Sequence, residues 1–544
     1  MIFQNPEYLK ELAEQAELIE KLLDIGAALS STQNLSTLLN LILAKSREIT
    51  CSDAGSVYLV DSTDNTPKLL FKVAQNVSLP NLSFREFAIP LTDRSLAGYV
   101  ALTGESLNIP DAYQLPPDKP YRLDSSFDRD ISYLTRSVLV LPMQNRQGET
   151  MGVLQLINRK VRSDVTLVPE NTLEMTQPYG EWEEQILRSL ASQAAISIER
   201  NALQDSIESL FEGFVKASVQ VIEQRDPCTF GHSERVAQLT VRLAEEINTT
   251  TNGSLAEITF SDRQIQEIRY AALLHDFGKI GVPEAILTKS KKLYPHQLEV
   301  IRQRFALARR TLEWECTQAK YELLLKNSNQ KSTKTENLPP DQIEQLDANL
   351  SQAIQQLNDC WNILLEANEP QATEKKPVDK LSKLTQIVYR DIDGETKPLI
   401  TPKEMNLLLV KQGNLTPEER LVIESHVTHT YKFLEKIPWT KDLKDVPTIA
   451  YGHHEKLDGT GYPLNLKQAE ISMQAQMMAI ADIYDALTAG DKPYQHGLPT
   501  ITALKILRKE AAQNKVNPEI LELFEQRQVY QVIGHSLDVV MKLA

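Results

Sequence analysis

Leu273-Leu274-His275-Asp276-Phe277-Gly278-Lys279-Ile280-Gly281 is the stretch around which the rest of the chain is organised. An apolar run from Tyr270 to Leu274 delivers a histidine and an aspartate side by side, then a lysine. If the run is helical throughout, Lys279 lies on the same face as His275 and Asp276. A neutral imidazole beside a carboxylate suits a divalent metal, and a carboxylate can bridge two metals. A lysine one turn on can neutralise a phosphate. Because His-Asp is a common pair, the metal reading depends on whether other segments supply further ligands.

They do. Of nine histidines, His232 falls near the start of a helix, His426 within another, and His453 and His454 in the loop Tyr451-Gly452-His453-His454-Glu455-Lys456-Leu457-Asp458-Gly459-Thr460-Gly461-Tyr462-Pro463. After that loop the apolar helix from Met477 to Leu487 is interrupted by Asp482 and Asp485. A lone buried histidine is usually a satisfied core residue, but unpaired carboxylates inside an apolar helix are costly. A dinuclear centre accounts for all of these residues together. Asp276 would bridge two ions, with His232, His275 and Asp482 completing one site and His426, His453 and His454 the other. Nitrogen and oxygen ligands favour Fe or Mn, with Zn, Mg or Ni as further candidates.

The motifs His275-Asp276-x-Gly278-Lys279, His453-His454-Glu455-Lys456-x-Asp458-Gly459-x-Gly461-Tyr462-Pro463 and Asp482-Ile483-Tyr484-Asp485-Ala486-Leu487-Thr488 closely resemble the HD-GYP domain of the HD phosphohydrolase superfamily. The resemblance covers about 205–295 and 414–544, with the catalytic domain placed at 225–295 and 414–544, and implies an all-helical, metal-dependent phosphodiesterase that hydrolyses cyclic di-guanylate to pGpG and in some members on to GMP. It implies catalytic roles for Asp276 and Lys279. It also implies substrate contacts by Lys279, Asp458, Gly459, Gly461, Tyr462, Pro463 and Lys492. Two departures stand out. Members with a third metal carry a glutamate four residues before the first ligand histidine, where this chain has Cys228, so two metals are expected. The family's Arg-Pro-Tyr is Lys492-Pro493-Tyr494 here, and a lysine meets a phosphate without forking across it. Two other readings stay open: the same centre acting on another phosphodiester or phosphomonoester, and a catalytically slow nucleotide- or partner-binding signalling protein.

Working towards the N-terminus, a long stretch without proline and with a single glycine, Gly213, runs from Trp182 to Glu223. Leu203, Ile207, Leu210, Phe214, Ala217 and Val221 alternate at steps of four and three, the period of a coiled-coil seam, though over a short span. The connecting helix is placed at 181–224, and the seam predicts a homodimer. Ahead of it the apolar period changes to that of strands at Ser56–Val60, Leu69–Val73, Glu86–Pro90, Ser137–Leu141 and Gly152–Ile157, with a helix around Ser95–Val100. Arg162 to Tyr179 reads as a surface loop. The segments Ser95–Glu105, Leu107–Asp111, Thr135–Pro142 and Met151–Asn158 resemble a GAF domain, the small-molecule sensor module. That resemblance implies an α+β domain over 19–180, an antiparallel sheet with helices, preceded by a helix at 1–18, with a small molecule or cyclic nucleotide as its ligand.

Residues 296–413 interrupt the C-terminal pattern as a helical insertion, with helices at Leu298–Leu325 and Pro340–Asn368 that Trp314 and Trp361 could pack. The pattern resumes at Leu415-Thr416-Pro417-Glu418-Glu419-Arg420, which reads as a helix start with Thr416 as cap and Glu419 three residues on. A formal net charge of −15 argues against duplex nucleic acid as the main partner. Four scattered cysteines without a CxxC pair fit a reducing compartment. With no signal peptide pattern and no apolar run near the ~20 residues of a membrane span, the expectation is a soluble, cytoplasmic protein.

Overall fold

The computed structural model describes residues 23–537 except 30–31, 33, 63–65, 83, 227–229, 330–339, 371–386 and 491–496. The expected helix at 1–18, Cys228 and Lys492 lie outside the described residues. The chain divides into two compact units, Met1–Glu212 and Gly213–Ala544.

After a helical stretch at 23–29, whose Ile25 and Leu29 enter the core, the first unit continues with α1 (Leu35–Thr50), capped by the Asn34 side chain. A seven-stranded antiparallel sheet follows, built from β1 (Ser52–Asp61), β2 (Lys68–Asn76), β3 (Phe87–Pro90), β4 (Leu107–Ile109), β5 (Val138–Gln144), β6 (Thr150–Lys160) and the short β7 (Thr176–Gln177). The strand order is β3-β2-β1-β6-β5-β4, with β7 paired to β6. Helix α2 (Leu96–Thr103) lies between β3 and β4, α3 (Ser125–Asp130) precedes β5, and α4 (Thr172–Met175) precedes β7. Side chains of a strand alternate between faces, and here both faces are covered. Leu139 and Leu141 of β5 join α1 residues Leu38, Leu39 and Ile42 in one core. Val138 and Val140 join Leu96 and Val100 of α2 in the other. Two buried faces explain why β5 reads as an unbroken Val-Leu-Val-Leu.

The segment 162–179 is not the surface loop expected from its composition. It contains α4 and β7, and Leu167, Thr172, Thr176 and Tyr179 are buried. The Tyr179 hydroxyl is 2.7 Å from Ser52 Oγ, a pairing 127 residues apart that local sequence cannot announce. Strand β4 likewise escaped the period-two pattern because it is only three residues long.

Helix α5 (Glu181–Arg225) is a single 45-residue element. The second unit continues with α6 (His232–Asn248), α7 (Asp262–Leu274) and α8 (Glu284–Leu287). Ser261 and Gln264 form a reciprocal capping box at the start of α7. Helix α7 stops at Leu274, and Phe277–Gly281 is a 3-10 turn, so the run through Lys279 is not continuous α-helix. The reason is packing: a Cβ on Gly278 would sit 1.9 Å from the His426 carbonyl oxygen, so the turn needs glycine to let another helix approach.

The insertion contributes α9 (Pro295–Asn329), α10 (Pro340–Ala367), the hairpin β8 (Val388–Arg390) with β9 (Thr396–Pro398), and α11 (Pro402–Leu408). It has its own small core, in which Ile301, Phe305, Leu364, Tyr389, Leu399 and Met405 meet. Trp361 packs edge-on to Phe305 at 5.2 Å, whereas Trp314 is 59% exposed and packs nothing of that core, contrary to expectation.

Helix α12 (Pro417–Leu434) starts as its sequence predicts, with Thr416 and Glu419 in a capping box. It is followed by α13 (Val446–Tyr451), α14 (Met473–Thr488), α15 (Thr500–Ala512) and α16 (Pro518–Gln526). Among the described residues no helix is long and apolar enough to cross a membrane.

Candidate metal centre

The site is assembled from five segments of the second unit. Helix α6 packs on α7 and α14, the 3-10 turn packs on α12, and α13 packs on α7. His232 opens α6, His275 follows the last residue of α7, His426 lies within α12, His453 and His454 follow α13, and Asp482 lies within α14. The Gly278 amide donates to Thr430 Oγ1 at 2.8 Å, and that hydroxyl donates to the His275 carbonyl at 2.8 Å. Thr430 thereby clamps α12, and with it His426, onto the His275-Asp276 turn.

Among the described residues, ligand atoms lie within 4.8 Å of one another in three groups: His426, His453 and His454; His232, His275 and Asp482; and His275, Asp276 and His453. The two triplets anticipated from the sequence are thus each brought together in space. Asp276 faces both. Its Oδ2 is 3.4 Å from His275 Nε2 and 3.6 Å from His232 Nε2, while its Oδ1 is 3.3 Å from His426 Nε2. Asp482 is divided in the same way, with Oδ1 3.2 Å from His232 Nε2 and Oδ2 3.6 Å from His454 Nδ1.

The hydrogen bonding tests whether these residues fit a metal. Nδ1 of His275, His426 and His453 lies 2.6, 2.7 and 2.6 Å from the carbonyl oxygens of Ala272, Ile423 and Ala450. A carbonyl only accepts, so each imidazole carries its proton on Nδ1. The opposite nitrogens, Nε2 of all three, are buried and have no hydrogen-bond partner. A buried polar atom left unpaired costs roughly 1–3 kcal/mol, and three in one cluster make no sense as ordinary core histidines. Three lone pairs pointing at shared carboxylates fit divalent metals with nitrogen and oxygen ligands.

Electrostatics agree. Burial holds the imidazoles of His275 and His453 below their ordinary value, and His454 falls to about 4 for the same first reason. Burial alone would raise Asp276, but Lys279, His275 and His426 together hold its carboxyl well below the ordinary range. Asp482 is likewise held down, chiefly by His232 and His454 against the cost of burial. Lys279 Nζ stands 2.8 Å from Asp276 Oδ2 and 3.5 Å from Asp226 Oδ2, and these carboxylates outweigh burial to keep it protonated.

Sequence reading did not find every participant. Asp485 Oδ2 is 2.7 Å from His232 Nδ1, and Arg235 grips the same carboxylate from Nε at 2.6 Å and from Nη2 at 3.0 Å. Asp485 therefore orients His232 as the carbonyls orient the other rings. A second acid in an apolar helix was visible at 485, but its partner 253 residues away was not. Asp226, beside Lys279, carried no such signal.

The glycine-rich loop folds over the second triplet. The Tyr462 ring stands 4.8 Å from the His454 ring. Glu455 holds the loop by accepting from the amides of Leu464 at 2.6 Å and Leu466 at 2.9 Å. A Cβ on Gly461 would lie 2.3 Å from the Lys456 nitrogen, and Gly459 has φ +80°, so both positions need glycine. The Tyr462-Pro463 peptide is cis. Asp458 is engaged within its own loop, accepting from the Thr460 amide at 2.9 Å and hydroxyl at 2.7 Å.

Comparison with known proteins places these features. The GAF domain model matches residues 34–198, and two HD domain models match 229–381 and 399–520. The chain carries a GAF domain followed by HD-domain sequence. Its HD part bears the HD-GYP motifs described above, and its relatives include proteins named as phosphodiesterases. The 3'3'-cGAMP-specific phosphodiesterase 3 of Vibrio cholerae is 37% identical over 138 residues, 24% of this chain and 29% of the relative. The cyclic di-GMP phosphodiesterase of Thermotoga maritima is 35% identical over 118 residues, 22% of this chain and 31% of the relative. The dual 3',5'-cyclic-AMP and -GMP phosphodiesterase 11A of Takifugu rubripes is 34% identical over 177 residues, 32% of this chain and 18% of the relative. The chain thus spans less than a third of the length of each of these relatives.

Proposed function

We propose that this chain is a cytoplasmic, metal-dependent phosphodiesterase that opens cyclic di-GMP to linear pGpG, under the control of its GAF domain. In this reading 225–295 and 414–544 form the catalytic domain and 296–413 is an insertion in it. The observation that carries the reading is Asp276, whose two carboxylate oxygens face two separate sets of nitrogen ligands. His232, His275 and Asp482 would hold one ion, and His426, His453 and His454 the other. When bound, a metal pair supplies Lewis-acid charge to the phosphoryl group and eases deprotonation of the attacking water.

The chain's own groups would do the rest. Water adds to phosphorus, the bond from phosphorus to the 3'-oxygen breaks, and that oxygen takes up a proton as the 3'-hydroxyl. The phosphate stays on the 5'-oxygen, which gives pGpG, and a second cycle would give GMP. Lys279, protonated and largely buried, would face the charge that grows on the phosphoryl oxygens. Tyr462 and Pro463, beside His454, would line the side where a base must lie. Burial of the ligand set restricts bulk water around the reacting phosphate.

A second reading is favoured by one observation: the Vibrio relative at 37% identity is named for 3'3'-cGAMP, not cyclic di-GMP. Protein purified anaerobically and loaded with Fe(II) or Mn(II) would be offered cyclic di-GMP, 3'3'-cGAMP and a linear phosphodiester, with products resolved by chromatography. Appearance of pGpG ahead of the other products supports the proposal. Faster turnover of 3'3'-cGAMP moves the substrate to the second reading, and no turnover of any of the three by metal-loaded protein overturns both.

A further inference from the structure

Among the candidate ligands only His426 is carried by α12. Its Nδ1 lies 2.7 Å from the Ile423 carbonyl oxygen of the same helix, so the ring goes where the helix goes. Whatever fixes α12 therefore fixes His426 Nε2 against Asp276 Oδ1, 3.3 Å away. One attachment is Thr430, four residues after His426, which bonds the His275 turn. Phe433 adds a ring stacked on Phe277 of that turn at 3.7 Å. Both lie on the C-terminal side of His426, and a rod held only there can still pivot.

The second attachment sits seven residues before His426, about 10 Å along the helix axis. Glu419 Oε1 and Oε2 lie 2.8 and 2.7 Å from Lys289 Nζ. The Tyr294 hydroxyl donates to Oε1 at 2.5 Å, and the Lys289 ammonium stands 4.3 Å from the centre of the Tyr294 ring. The Thr416 amide donates to Oε2 at 2.9 Å, so one carboxylate both caps α12 and anchors it. The Lys289 side chain is 1% exposed. A buried ammonium is costly without its carboxylate, and here that carboxylate belongs to α12. Asn414 donates in turn to the Lys289 carbonyl oxygen. Because 296–413 lies between Lys289 and Asn414 in the chain, this contact closes the root of the insertion.

Resting on the metal reading above, we infer that Lys289 is a positioning residue for the second ion: through Glu419 it sets the pose of α12 and thereby aims His426. The other triplet does not ride on that helix. His232 is oriented by Asp485, His275 follows α7, and Asp482 lies within α14. Loss of the Lys289 anchor therefore acts on one ion and spares the other. A pair that merely held the domain together would weaken both ions alike, or neither.

The test is stepwise metal binding by the full chain, with Mn(II) titrated into chelator-stripped protein against a chromophoric competitor. His426→Ala marks which of the two steps belongs to the second triplet. Lys289→Met, similar in length but uncharged, should weaken that step roughly tenfold and leave the other within about twofold. Glu419→Gln should do the same, and the double variant should be no worse than either single change, because the two residues act as a pair. Tyr294→Phe, which keeps the ion pair, should move the same step by less. Equal weakening of both steps, or two unchanged steps in folded Lys289→Met protein, would overturn the inference. If Lys289→Met fails to fold, Tyr294→Phe decides by the same criterion. A folded parent protein that binds no Mn(II) would overturn the metal reading and this inference with it, a result distinct from two intact steps in the variant.

Discussion

Both units bury acidic side chains, and they treat them in opposite ways. In the GAF domain Asp53 is fully buried and satisfied: Tyr133 donates to Oδ2 at 2.7 Å, Ser78 donates to Oδ1 at 2.8 Å, and Lys160 Nζ lies 3.3 Å away. Asp128 accepts from the Tyr113 hydroxyl and from both the amide and hydroxyl of Thr135. In the HD region Asp276 and Asp482 stand among three imidazole nitrogens that, among the described residues, have no hydrogen-bond partner. Burial of polar groups is common to both places. What separates a structural network from a ligand set is the clustering of unspent lone pairs: three imidazole nitrogens share one site here, whereas the unpaired Ser46 Oγ of the GAF domain is not part of such a cluster.

Chelation should act on the HD region alone. Exhaustive dialysis against a chelator should abolish phosphodiesterase turnover, and added Mn(II) or Fe(II) should restore it. The GAF domain, whose buried carboxylates Asp53 and Asp128 are already paired, should unfold at an unchanged midpoint; a shift as large as that of the HD region would mean the distinction is false.

The reverse experiment removes a satisfied group. Asp53→Ala leaves the 3%-exposed Lys160 without its carboxylate, which should cost about 3–5 kcal/mol of stability in denaturant titration. Metal content per folded chain should not change, and a variant within 1 kcal/mol of the parent would show that this network contributes little.

An intermediate case sharpens the boundary. Asp485 touches no candidate ion position but fixes His232, so Asp485→Asn should weaken metal affinity by roughly 10–100-fold without unfolding the domain. Affinity measured by competition with a chromophoric chelator decides, and an unaffected variant would make Asp485 part of the Arg235 ion pair only.

The smallest effect is expected where the chain is merely well capped. Thr416→Ala removes the oxygen that accepts from the Glu419 amide at 3.2 Å and should cost about 1 kcal/mol, read from the unfolding midpoint. Glu419 adds a pH dependence. Burial pushes its carboxyl up, but hydrogen bonds from Lys289, Tyr294 and the Thr416 amide outweigh that and lower it below the ordinary value. A lowered folded-state pKa gives stability that is complete above the ordinary glutamate range and lost as pH falls through the folded value. Glu419→Gln should flatten that acid limb of the stability profile.

Much of this contrast was legible before any coordinates. The ligand residues could be named because they sit in long ordered motifs, and the helix start at Thr416 because capping is a local matter. The Val138–Leu141 strand declared itself through its unbroken apolar run. What escaped was set by distant partners. Tyr179 and β7 belong to the sheet through contacts with Ser52 and β6, the turn after α7 needs Gly278 because α12 presses on it, and Asp485 takes its role from His232 and Arg235. Trp314 differs for a related reason: an aromatic residue in a helix suggests packing, yet this one stands 59% exposed, and its neighbours in sequence do not announce that.

In the proposed function Asp276 holds two metals at once. Metal analysis of anaerobically purified protein, parent beside Asp276→Ala, tests it most directly. Two divalent ions per parent chain are expected and at most one, weakly held, in the variant, with turnover lost in parallel. Fewer than one ion in a folded parent protein, or an unchanged two in Asp276→Ala, would contradict it.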